Sequence, residues 1–278
     1  MTIEEIIKET LKEDIREGDH TSLSTIPPTA TGKARLLVKE DGILAGVEIA
    51  RKVCAQVDKN IKFIPFLTDG TRIKKGDIAF EIEGSSISML TAERTLLNFM
   101  QRMSGIATTT RKFVDAVDGY NTKILDTRKT TPLLREIEKM AVKIGGGYNH
   151  RFGLYDMIMI KDNHVDFAGG IVKAIDACHA YLEANKLNLA IEIETRNLDE
   201  VQQVMERGGV NRIMLDNFNF ENLKKAVKLI NNRYETEASG GITLDNVREY
   251  AACGVNFISI GYLTHHVSSL DLSLKAVK

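Results

Sequence analysis

The sequence predicts an α/β protein, in which an N-terminal α+β sandwich domain precedes an open, incomplete TIM-like α/β barrel. After about residue 120, short apolar runs alternate with longer amphipathic stretches, which is the pattern of βα units around a parallel sheet. Before that point, short strand-like runs alternate with glycine and charged turns. Six strand candidates in the second half fall short of the eight that close a barrel, so an open barrel is expected.

The N-terminal domain is expected to span residues 1–118, with the C-terminal tail, residues 266–278, packing on it. A helix is predicted from Thr91 to Val117, because its apolar residues recur at helical spacing. Thr91 is its predicted N-cap, and Glu93 suits the positive end of the helix dipole. The strands predicted in this domain are Ala34–Val38, Ile43–Ala45 and Ile78–Ile82.

The barrel is expected to span residues 119–265. Asn197, followed three residues later by Glu200, predicts a helix start, and Gly208 predicts that helix's end. The six predicted strands are Lys123–Leu125, Met157–Ile160, Leu189–Ile193, Arg212–Leu215, Thr236–Ala238 and Phe257–Ile260. The predicted helices between them are Leu133–Ile144, Ile171–Asn185, Leu198–Arg207, Phe220–Asn231 and Leu244–Cys253.

Composition argues against several classes of function. The net charge of −1 does not suit a protein held on nucleic acid or anionic lipid by its overall field. No run approaches about 18 consecutive apolar residues, so no membrane span is predicted. The three cysteines, Cys54, Cys178 and Cys253, are widely spaced and fit a reducing compartment. Together with acidic first residues unlike a signal peptide, these features predict a cytoplasmic protein.

Every predicted barrel strand ends in a charged, hydroxyl-bearing or glycine residue. Catalytic groups of β/α barrels lie at the carboxyl ends of the strands, so this edge is the predicted active site. The residues concerned are Asp126–Lys129, Lys161–His164, Glu192, Glu194, Asp216, Asn217, Ser239–Gly241 and Gly261.

Five basic residues are expected to converge at this edge: Arg128, Lys129, His150, Arg151 and Lys161. Arginine binds carboxylate or phosphate through two parallel hydrogen bonds, and lysine adds a compact point charge. Such a concentration of cations predicts a polyanionic ligand.

Other basic residues are interpreted as a solvated helix face. Arg135, Lys139 and Lys143 share a predicted helix with Glu136 and Glu138, at spacings typical of surface ion pairs.

Glu192 and Glu194 stand two apart on one strand, so their side chains point to the same face. With Asp216 from the next strand, they are candidates to hold Mg²⁺ or to bind sugar hydroxyls. The alternative, that one glutamate forms a permanent ion pair with a lysine, is favoured more for Glu192 than for Glu194.

Two glycine turns at the last strands are candidate phosphate sites. The segment Ser239–Gly241 precedes a helix predicted to begin near Thr243, and Gly261 ends the final strand. Glycine lets backbone N–H groups approach a phosphate, and a helix N-terminus adds a favourable dipole.

These residues, in this order, resemble the quinolinate phosphoribosyltransferase family, and the similarity covers nearly the whole chain. The run from DTRKT through NHR to IKDNH is highly specific. The matching strings are EDIREGDHTS (13–22), EDGILAG (40–46), ERTLLNFMQRMSGIAT (93–108), LDTRKTTP (125–132), KIGGGYNHRFGLYDMIMIKDNHV (143–165), EIETRNLDEV (192–201), IMLDNF (213–218), EASGGIT (237–243) and ISIGYLTH (258–265).

The resemblance implies phosphoribosyl transfer from phosphoribosyl pyrophosphate to quinolinate with decarboxylation, in the presence of Mg²⁺. It also implies a homodimer, or a larger assembly, in which Arg102 enters the partner's site. It assigns catalysis to Lys129, Glu194 and Asp216, with the last two also at the metal. The implied substrate-binding set is Arg102, Thr127, Arg128, Lys129, His150, Arg151, Lys161, Glu194, Asp216, Ser239, Gly240, Gly241 and Gly261.

The sequence departs from the family pattern at Leu133, where glycine is usual, and in the HHV string at 265–267. Both lie beside the implied site. Three alternatives remain open: a related phosphoribosyltransferase that takes nicotinate or serves metal transport, an aldolase-type barrel with Lys161 as a Schiff-base lysine, and a non-catalytic metabolite-binding protein.

Overall fold

The computed structural model describes residues 1–277, which group into two compact units. The first unit comprises residues 1–111, residues 130–146 and the C-terminal segment from Leu263. The second comprises residues 112–129 and 147–262. The segment 130–146, which we expected in the barrel, therefore groups with the first unit.

The first unit is built on an antiparallel sheet. Its helices are α1 (Ile3–Ile15), α2 (His20–Thr25), α3 (Val47–Val57), α4 (Ser86–Ala116, which continues into the second unit), α5 (Arg135–Ile144) and α11 (Tyr262–His265, which begins in the second unit). Its strands are β1 (Thr31–Val38), β2 (Gly42–Ile43), β3 (Lys62–Pro65), β4 (Arg72–Ile73), β5 (Ile78–Ser85) and β12 (Leu272–Val277). The main sheet has the order β12-β1-β5-β3, and β2 pairs with β4.

Burial alternates along β1, as a half-buried strand requires. Ala34, Leu36 and Val38 are buried, whereas Arg35 between them is exposed. The last strand, β12, pairs antiparallel with β1, so the C-terminal tail completes the sheet of this unit.

The long helix begins earlier than predicted. It starts at Ser86, so Thr91 is an interior residue whose hydroxyl donates to the carbonyl of Ile87 instead of capping the helix. Glu93 consequently lies beyond the first turn. Helical spacing of apolar residues continues upstream of Thr91, with Met89 buried, and this outweighs the capping preference of threonine.

The interpretation of α5 as a solvated face was wrong for two residues. Glu138 and Lys139 are fully buried. The carboxylate of Glu138 lies 2.9 Å from the Nη2 atom of Arg102 and accepts a 3.1 Å hydrogen bond from the amide of Thr131. This contact with α4 is one reason why residues 130–146 group with the first unit.

The second unit confirms all six predicted strands and an open barrel. Its strands are β6 (Lys123–Leu125), β7 (Ile158–Ile160), β8 (Ile191–Thr195), β9 (Arg212–Asp216), β10 (Glu235–Ser239) and β11 (Phe257–Ser259). They form a parallel sheet of order β6-β11-β10-β9-β8-β7, in which β6 and β7 are the ends and do not pair with each other. A parallel bridge from Leu125 to Tyr148 extends the sheet beyond β6.

The helices of this unit are α6 (Asp162–Ala168), α7 (Ile171–Asn185), α8 (Leu198–Arg207), α9 (Phe220–Ile230) and α10 (Val247–Ala252). Three of them match their predicted bounds within one residue, α10 is shorter than predicted, and α6 was not predicted. Asn197 caps α8 by accepting from the amide of Glu200, and Gly208 ends it, as predicted. Within residues 1–277, none of the helices combines the length and apolar character needed to cross a bilayer.

Both faces of the parallel sheet are buried, and they differ in chemistry. In β8, Ile191 and Ile193 alternate with Glu192 and Glu194, and all four are buried. Since alternate side chains point to opposite faces, the isoleucines form one apolar face while both glutamates point to the other. The predicted common orientation of the two glutamates is confirmed.

Candidate active site

The carboxyl ends of the six parallel strands meet at one edge of the sheet, which is where ligands bind in open α/β structures. The register places neighbouring ends side by side, with Glu194 opposite Met214 and Asp216 opposite Ser239. The residues of the second unit that we predicted from sequence therefore follow strands that end together.

Lys161 and Glu194 form an ion pair at the ends of β7 and β8. The Nζ atom of Lys161 lies 2.9 Å from Oε2 of Glu194, and 45% of the lysine side chain remains exposed. Lys161 is also the N-cap of α6, and its backbone amide donates to Nδ1 of His164. The pair is thus open to solvent on the lysine side, so the lysine ammonium is available to an anionic ligand.

Asp216 is held by hydrogen-bond donors from the end of β10 and from the residue that follows β9. The hydroxyl of Ser239 donates to Oδ1 at 2.6 Å, and the side-chain amide of Asn217 donates to Oδ2 at 2.6 Å. These two donors fix the direction of the carboxylate at the end of β9. The structure therefore places Asp216 and Ser239 together, as two predicted site residues in direct contact.

The turn after Ser239 requires glycine. Gly240 and Gly241 have φ values of +92° and +62°, a backbone region that side chains rarely adopt. A Cβ atom at Gly240 would lie 2.2 Å from Oδ1 of Asn217. The predicted helix start near Thr243 was wrong, because a turn closed by Asn246 precedes α10. The helix-dipole argument for phosphate binding at this turn therefore does not apply.

Arg151 is placed beside a second arginine. Its Nη1 atom donates to the carbonyl of Met157 at 3.1 Å, and its buried Nε has no hydrogen-bond partner among the described residues. Burial, followed by the charge of Arg128, lowers the pKa of Arg151. The repulsion between the two arginines and the unpaired buried N–H both destabilise the folded protein. An anion bound there would offset the repulsion and accept a hydrogen bond from the N–H.

The remaining predicted residues of this edge lie on loops. Thr127 and Lys129 follow β6, and the amide of Lys129 donates to the hydroxyl of Thr127 at 3.1 Å. Gly261 lies two residues after the end of β11 and directly before α11. Their positions after strand ends agree with the predicted arrangement.

His150 lies deeper in the unit than the other basic residues. Its amide donates to Asp126 Oδ1 at 2.9 Å, and its Nδ1 atom accepts a 2.6 Å hydrogen bond from the amide of Arg151. Its Nε2 atom lies 3.0 Å from Glu192 and 3.3 Å from Glu237. Only 4% of the histidine side chain is exposed, so the ring lies inside the protein.

These buried groups affect one another's protonation. Burial lowers the pKa of His150, but the two carboxylates outweigh it and raise the pKa to about 9. The backbone amide of Arg151 can only donate, so it faces Nδ1, while Nε2 faces the two carboxylates. Burial, followed by the charge of Glu237, raises the pKa of Glu192 to about 7.

Arg102 belongs to the first unit. Its guanidinium donates to Glu138 and to the carbonyls of Val267 and Thr264. About a quarter of its side chain is exposed. Its entry into a partner's site stays a prediction.

Glu237 and Arg212 were not among the residues predicted from sequence, and Glu192, predicted as a candidate for Mg²⁺ or sugar hydroxyls, lies 3.0 Å from His150 instead. The Nη1 atom of Arg212 lies 3.0 Å from Glu237 and 3.8 Å from Glu192. A signal was present in the sequence, because each of these charged residues lies within a short strand whose neighbours are apolar or small. The sequence does not show which buried charges face each other across strands.

Comparison with known families gives two matches that together span most of the chain. The family described as quinolinate phosphoribosyl transferase, C-terminal domain, matches residues 106–275. The corresponding N-terminal domain matches residues 19–104.

Curated relatives and solved structures agree with these matches. The chain is 46% identical over 288 aligned positions to quinolinate phosphoribosyltransferase [decarboxylating] 2b, mitochondrial, from Nicotiana tabacum, covering 98% of this chain and 82% of that protein. It is 41% identical to the probable nicotinate-nucleotide pyrophosphorylase [carboxylating] of Bacillus subtilis, covering 99% and 93%. A crystal structure of NadC from Streptococcus pyogenes is 38% identical with a TM-score of 0.94, covering 99% and 97%.

Proposed function

Because the chain belongs to the quinolinate phosphoribosyltransferase family, we propose that it transfers the phosphoribosyl group of phosphoribosyl pyrophosphate to quinolinate. The products are nicotinate mononucleotide, CO₂ and pyrophosphate. The name of the Nicotiana tabacum relative describes a decarboxylating transferase, and the Bacillus subtilis relative carries the name of the reverse, carboxylating direction. Both describe one reaction of pyridine nucleotide and NAD biosynthesis.

The environment of Arg151 supports this proposal most directly. Its buried Nε lacks a partner among residues 1–277, and its charge is opposed by that of Arg128. Quinolinate has two adjacent carboxylates, which suit two neighbouring guanidinium groups. Nicotinate has one carboxylate fewer and would leave part of this positive charge unpaired, so the site favours quinolinate.

We assign the ribose and metal end of the site to Glu194 and Asp216, which end adjacent strands. Mg²⁺ is commonly held by one or two carboxylates together with substrate phosphates, and this pair supplies that number of protein ligands. The fixed orientation of Asp216, with donors on both oxygens, supports the assignment. When bound, Mg²⁺ would neutralise charge on the departing pyrophosphate.

The first step forms a bond from the pyridine nitrogen to ribose C1 and breaks the bond from C1 to pyrophosphate. Glycosyl transfer of this kind passes through an oxocarbenium-like state, in which positive charge grows on the sugar. The carboxylates of Glu194 and Asp216 favour that charge, while Lys129 and Lys161 favour the negative charge that grows on pyrophosphate. The turn formed by Ser239, Gly240 and Gly241, together with Gly261, is proposed to hold the ribose 5′-phosphate.

The second step breaks the bond between the ring and the adjacent carboxylate. Its electron pair stays on the ring carbon, where the neighbouring cationic nitrogen stabilises it, and a proton from solvent then replaces CO₂. Arg128 and Arg151, with Arg102 from a partner subunit and Thr127 beside them, hold the carboxylates so that the leaving one is not neutralised by protonation. Positioning is therefore the protein's main contribution.

We further propose a homodimer in a reducing, cytoplasmic environment. The exposed quarter of the Arg102 side chain supports a role at an interface. The three cysteines are free thiols, which supports a reducing compartment. A sedimentation measurement on purified protein tests the dimer, and mixing Arg102→Ala with Lys129→Ala protein tests sharing of sites. Recovery of activity on mixing is expected, because a hybrid dimer regains one intact site.

The reaction itself is tested by supplying purified protein with Mg²⁺, phosphoribosyl pyrophosphate and either quinolinate or nicotinate. Mononucleotide is expected from quinolinate and not from nicotinate. Asp216→Asn is the matched variant, since it keeps the shape of the side chain but removes its charge and one of its two acceptor oxygens. Turnover of nicotinate would show that the protein is instead a related phosphoribosyltransferase. Binding of quinolinate without turnover would indicate a metabolite-binding protein.

A further inference from the structure

We propose that Glu138 is a positioning residue that orients the guanidinium group of Arg102 for use in the partner subunit's site. This inference rests on the proposed function and deepens it, because the reaction as described gives this buried carboxylate no role. It predicts that Glu138 acts on catalysis in the neighbouring subunit and not in its own.

The carboxylate of Glu138, on α5, is fully buried and is held at both oxygens. Oε1 accepts hydrogen bonds from Nε and Nη2 of Arg102 at 3.1 Å and 2.9 Å, and Oε2 accepts from the amide of Thr131 at 3.1 Å. Among residues 1–277, its ion pair is with Arg102. A buried charge destabilises a protein unless it is paired, so each member of this pair holds the other in place.

The other acceptors around Arg102 come from the C-terminal segment. Nη2 also donates to the carbonyl of Thr264, and Nη1 donates to the carbonyl of Val267 at 3.3 Å. This segment can approach α4 because Gly105 lies about one turn after Arg102. A Cβ atom at Gly105 would lie 2.2 Å from the carbonyl oxygen of Ser268. Acceptors from α5 and from the C-terminal segment therefore fix the plane of one guanidinium group.

One donor of Arg102 is left over. A guanidinium group carries five N–H donors in a rigid fork. Contacts within the first unit take the N–H of Nε, both of Nη2 and one of Nη1, so one N–H of Nη1 has no acceptor among residues 1–277. About a quarter of the side chain is exposed. This geometry suits an arginine that is oriented from within its own subunit and offers one N–H to an anionic group outside it.

Glu138 also changes the charge of this group. Its carboxylate offsets the positive charge of Arg102, so removing it without loss of orientation would strengthen attraction for a dicarboxylate and lower KM for quinolinate. A role in orientation predicts the opposite, because a guanidinium group that is free to rotate meets a planar carboxylate less often in the productive geometry. The direction of the change in KM therefore separates the two roles.

Glu138→Gln keeps the shape of the side chain and removes its charge. It is expected to raise KM for quinolinate about 10-fold, to leave KM for phosphoribosyl pyrophosphate nearly unchanged, and to have no further effect when Arg102 is already alanine. Glu81→Gln is the matched control with unchanged kinetics, since Glu81 is a buried glutamate of the same unit that pairs with Arg35 at 2.8 Å. A fall in KM for quinolinate, or an equal loss in the Arg102→Ala background, would overturn the inference.

Hybrid dimers test in which site Glu138 acts. Two variants with different affinity tags are co-expressed, and dimers with one subunit of each are purified. Glu138→Gln combined with Lys129→Ala is expected to recover roughly half of the wild-type activity, because one of two equivalent sites then has its lysine and receives a correctly held Arg102. Glu138→Gln combined with Arg102→Ala should be no more active than the Glu138→Gln dimer, because neither site receives a correctly held arginine.

The reverse pattern, with recovery beside Arg102→Ala and none beside Lys129→Ala, would overturn the inference, because Glu138 would then act on its own subunit's site through Thr131. Absence of recovery in both hybrids would also overturn it, since Glu138 would then serve folding alone. The hybrid of Arg102→Ala with Lys129→Ala is the reference. If that hybrid also fails to recover, the shared site is wrong, and absence of quinolinate turnover by the unmodified protein would overturn the proposed function itself.

Discussion

The ammonium group of Lys161 lies 2.9 Å from the carboxylate of Glu194, which joins the ends of two adjacent strands by one ion pair. The pair connects a cation proposed to meet pyrophosphate with a carboxylate proposed to hold the metal. In the absence of ligands each group balances the other's charge. When substrate and metal bind, each group turns to a ligand, so the pair holds both side chains in place beforehand.

Replacing Lys161 by methionine is therefore expected to lower kcat/KM by at least about 100-fold, the usual cost of one preorganised electrostatic group. Methionine keeps much of the side-chain length and removes the charge. Steady-state kinetics with both substrates measure the effect. Lys225→Met removes an exposed lysine paired with Glu221 on a helix surface and should leave the kinetics unchanged. Near-normal activity of the Lys161 variant would show that this lysine is not part of the site.

Arg151→Lys is expected to raise KM for quinolinate by about 10- to 100-fold, because one or two charge-assisted hydrogen bonds are lost while the charge remains. KM for phosphoribosyl pyrophosphate should change little. Arg248→Lys is the matched control, since Arg248 donates to the carbonyls of Ala116 and Asp118 at the surface. An equal effect of both replacements would mean that the arginine geometry at residue 151 has no special role.

Gly240→Ala is expected to raise KM for phosphoribosyl pyrophosphate and to lower the melting temperature. Its Cβ would lie 2.2 Å from Asn217 Oδ1, and displacing Asn217 disturbs the hydrogen bond that this side chain donates to Asp216. Gly76→Ala has a comparable φ of +101° with no atom within 4 Å of the new Cβ. It should share the backbone strain, about 1–2 kcal/mol, without the kinetic effect. A kinetic effect of equal size in both variants would refute the proposed role of this turn.

Because the thiol of Cys54 is buried, the free energy of unfolding is expected to fall at alkaline pH. Burial raises its pKa to about 12, so the folded state keeps a proton that the unfolded chain releases above about pH 8.5. The unfolded state then binds fewer protons, and the free energy of unfolding falls as pH rises from about 8.5 towards 12. Urea unfolding of the wild type and Cys54→Ala at pH 8 and pH 10 measures this. The stability advantage of the wild type should shrink by about 1.5–2 kcal/mol, and a constant advantage would contradict the burial of this thiol.

The six strands of the barrel could be predicted from sequence because each strand carries its own apolar run and polar end. The predicted bounds of α7 and α8 agree with the structure at both ends, since Asn197 and Gly208 mark two of those limits. The start of α4 could not be predicted from Thr91, because the apolar packing of preceding residues outweighs a local capping preference.

The candidate site was predictable where residues follow strands, as for Lys161 and Asp216. It was not predictable where partners come from distant parts of the chain. Glu237 faces His150 from a strand more than eighty residues away, and no local pattern connects them. Likewise, Lys139 carries a charge that suggested a solvated face, whereas tertiary packing buries it completely.

The most direct test of the whole account follows the carboxylate of quinolinate that leaves the ring. Quinolinate labelled with ¹³C in the carboxylate next to the nitrogen is incubated with the protein, Mg²⁺ and phosphoribosyl pyrophosphate, and labelled CO₂ and pyrophosphate are measured together. Equal amounts of both are expected, dependent on phosphoribosyl pyrophosphate, with unlabelled nicotinate mononucleotide as the product. Pyrophosphate release without labelled CO₂, or neither product, would contradict it.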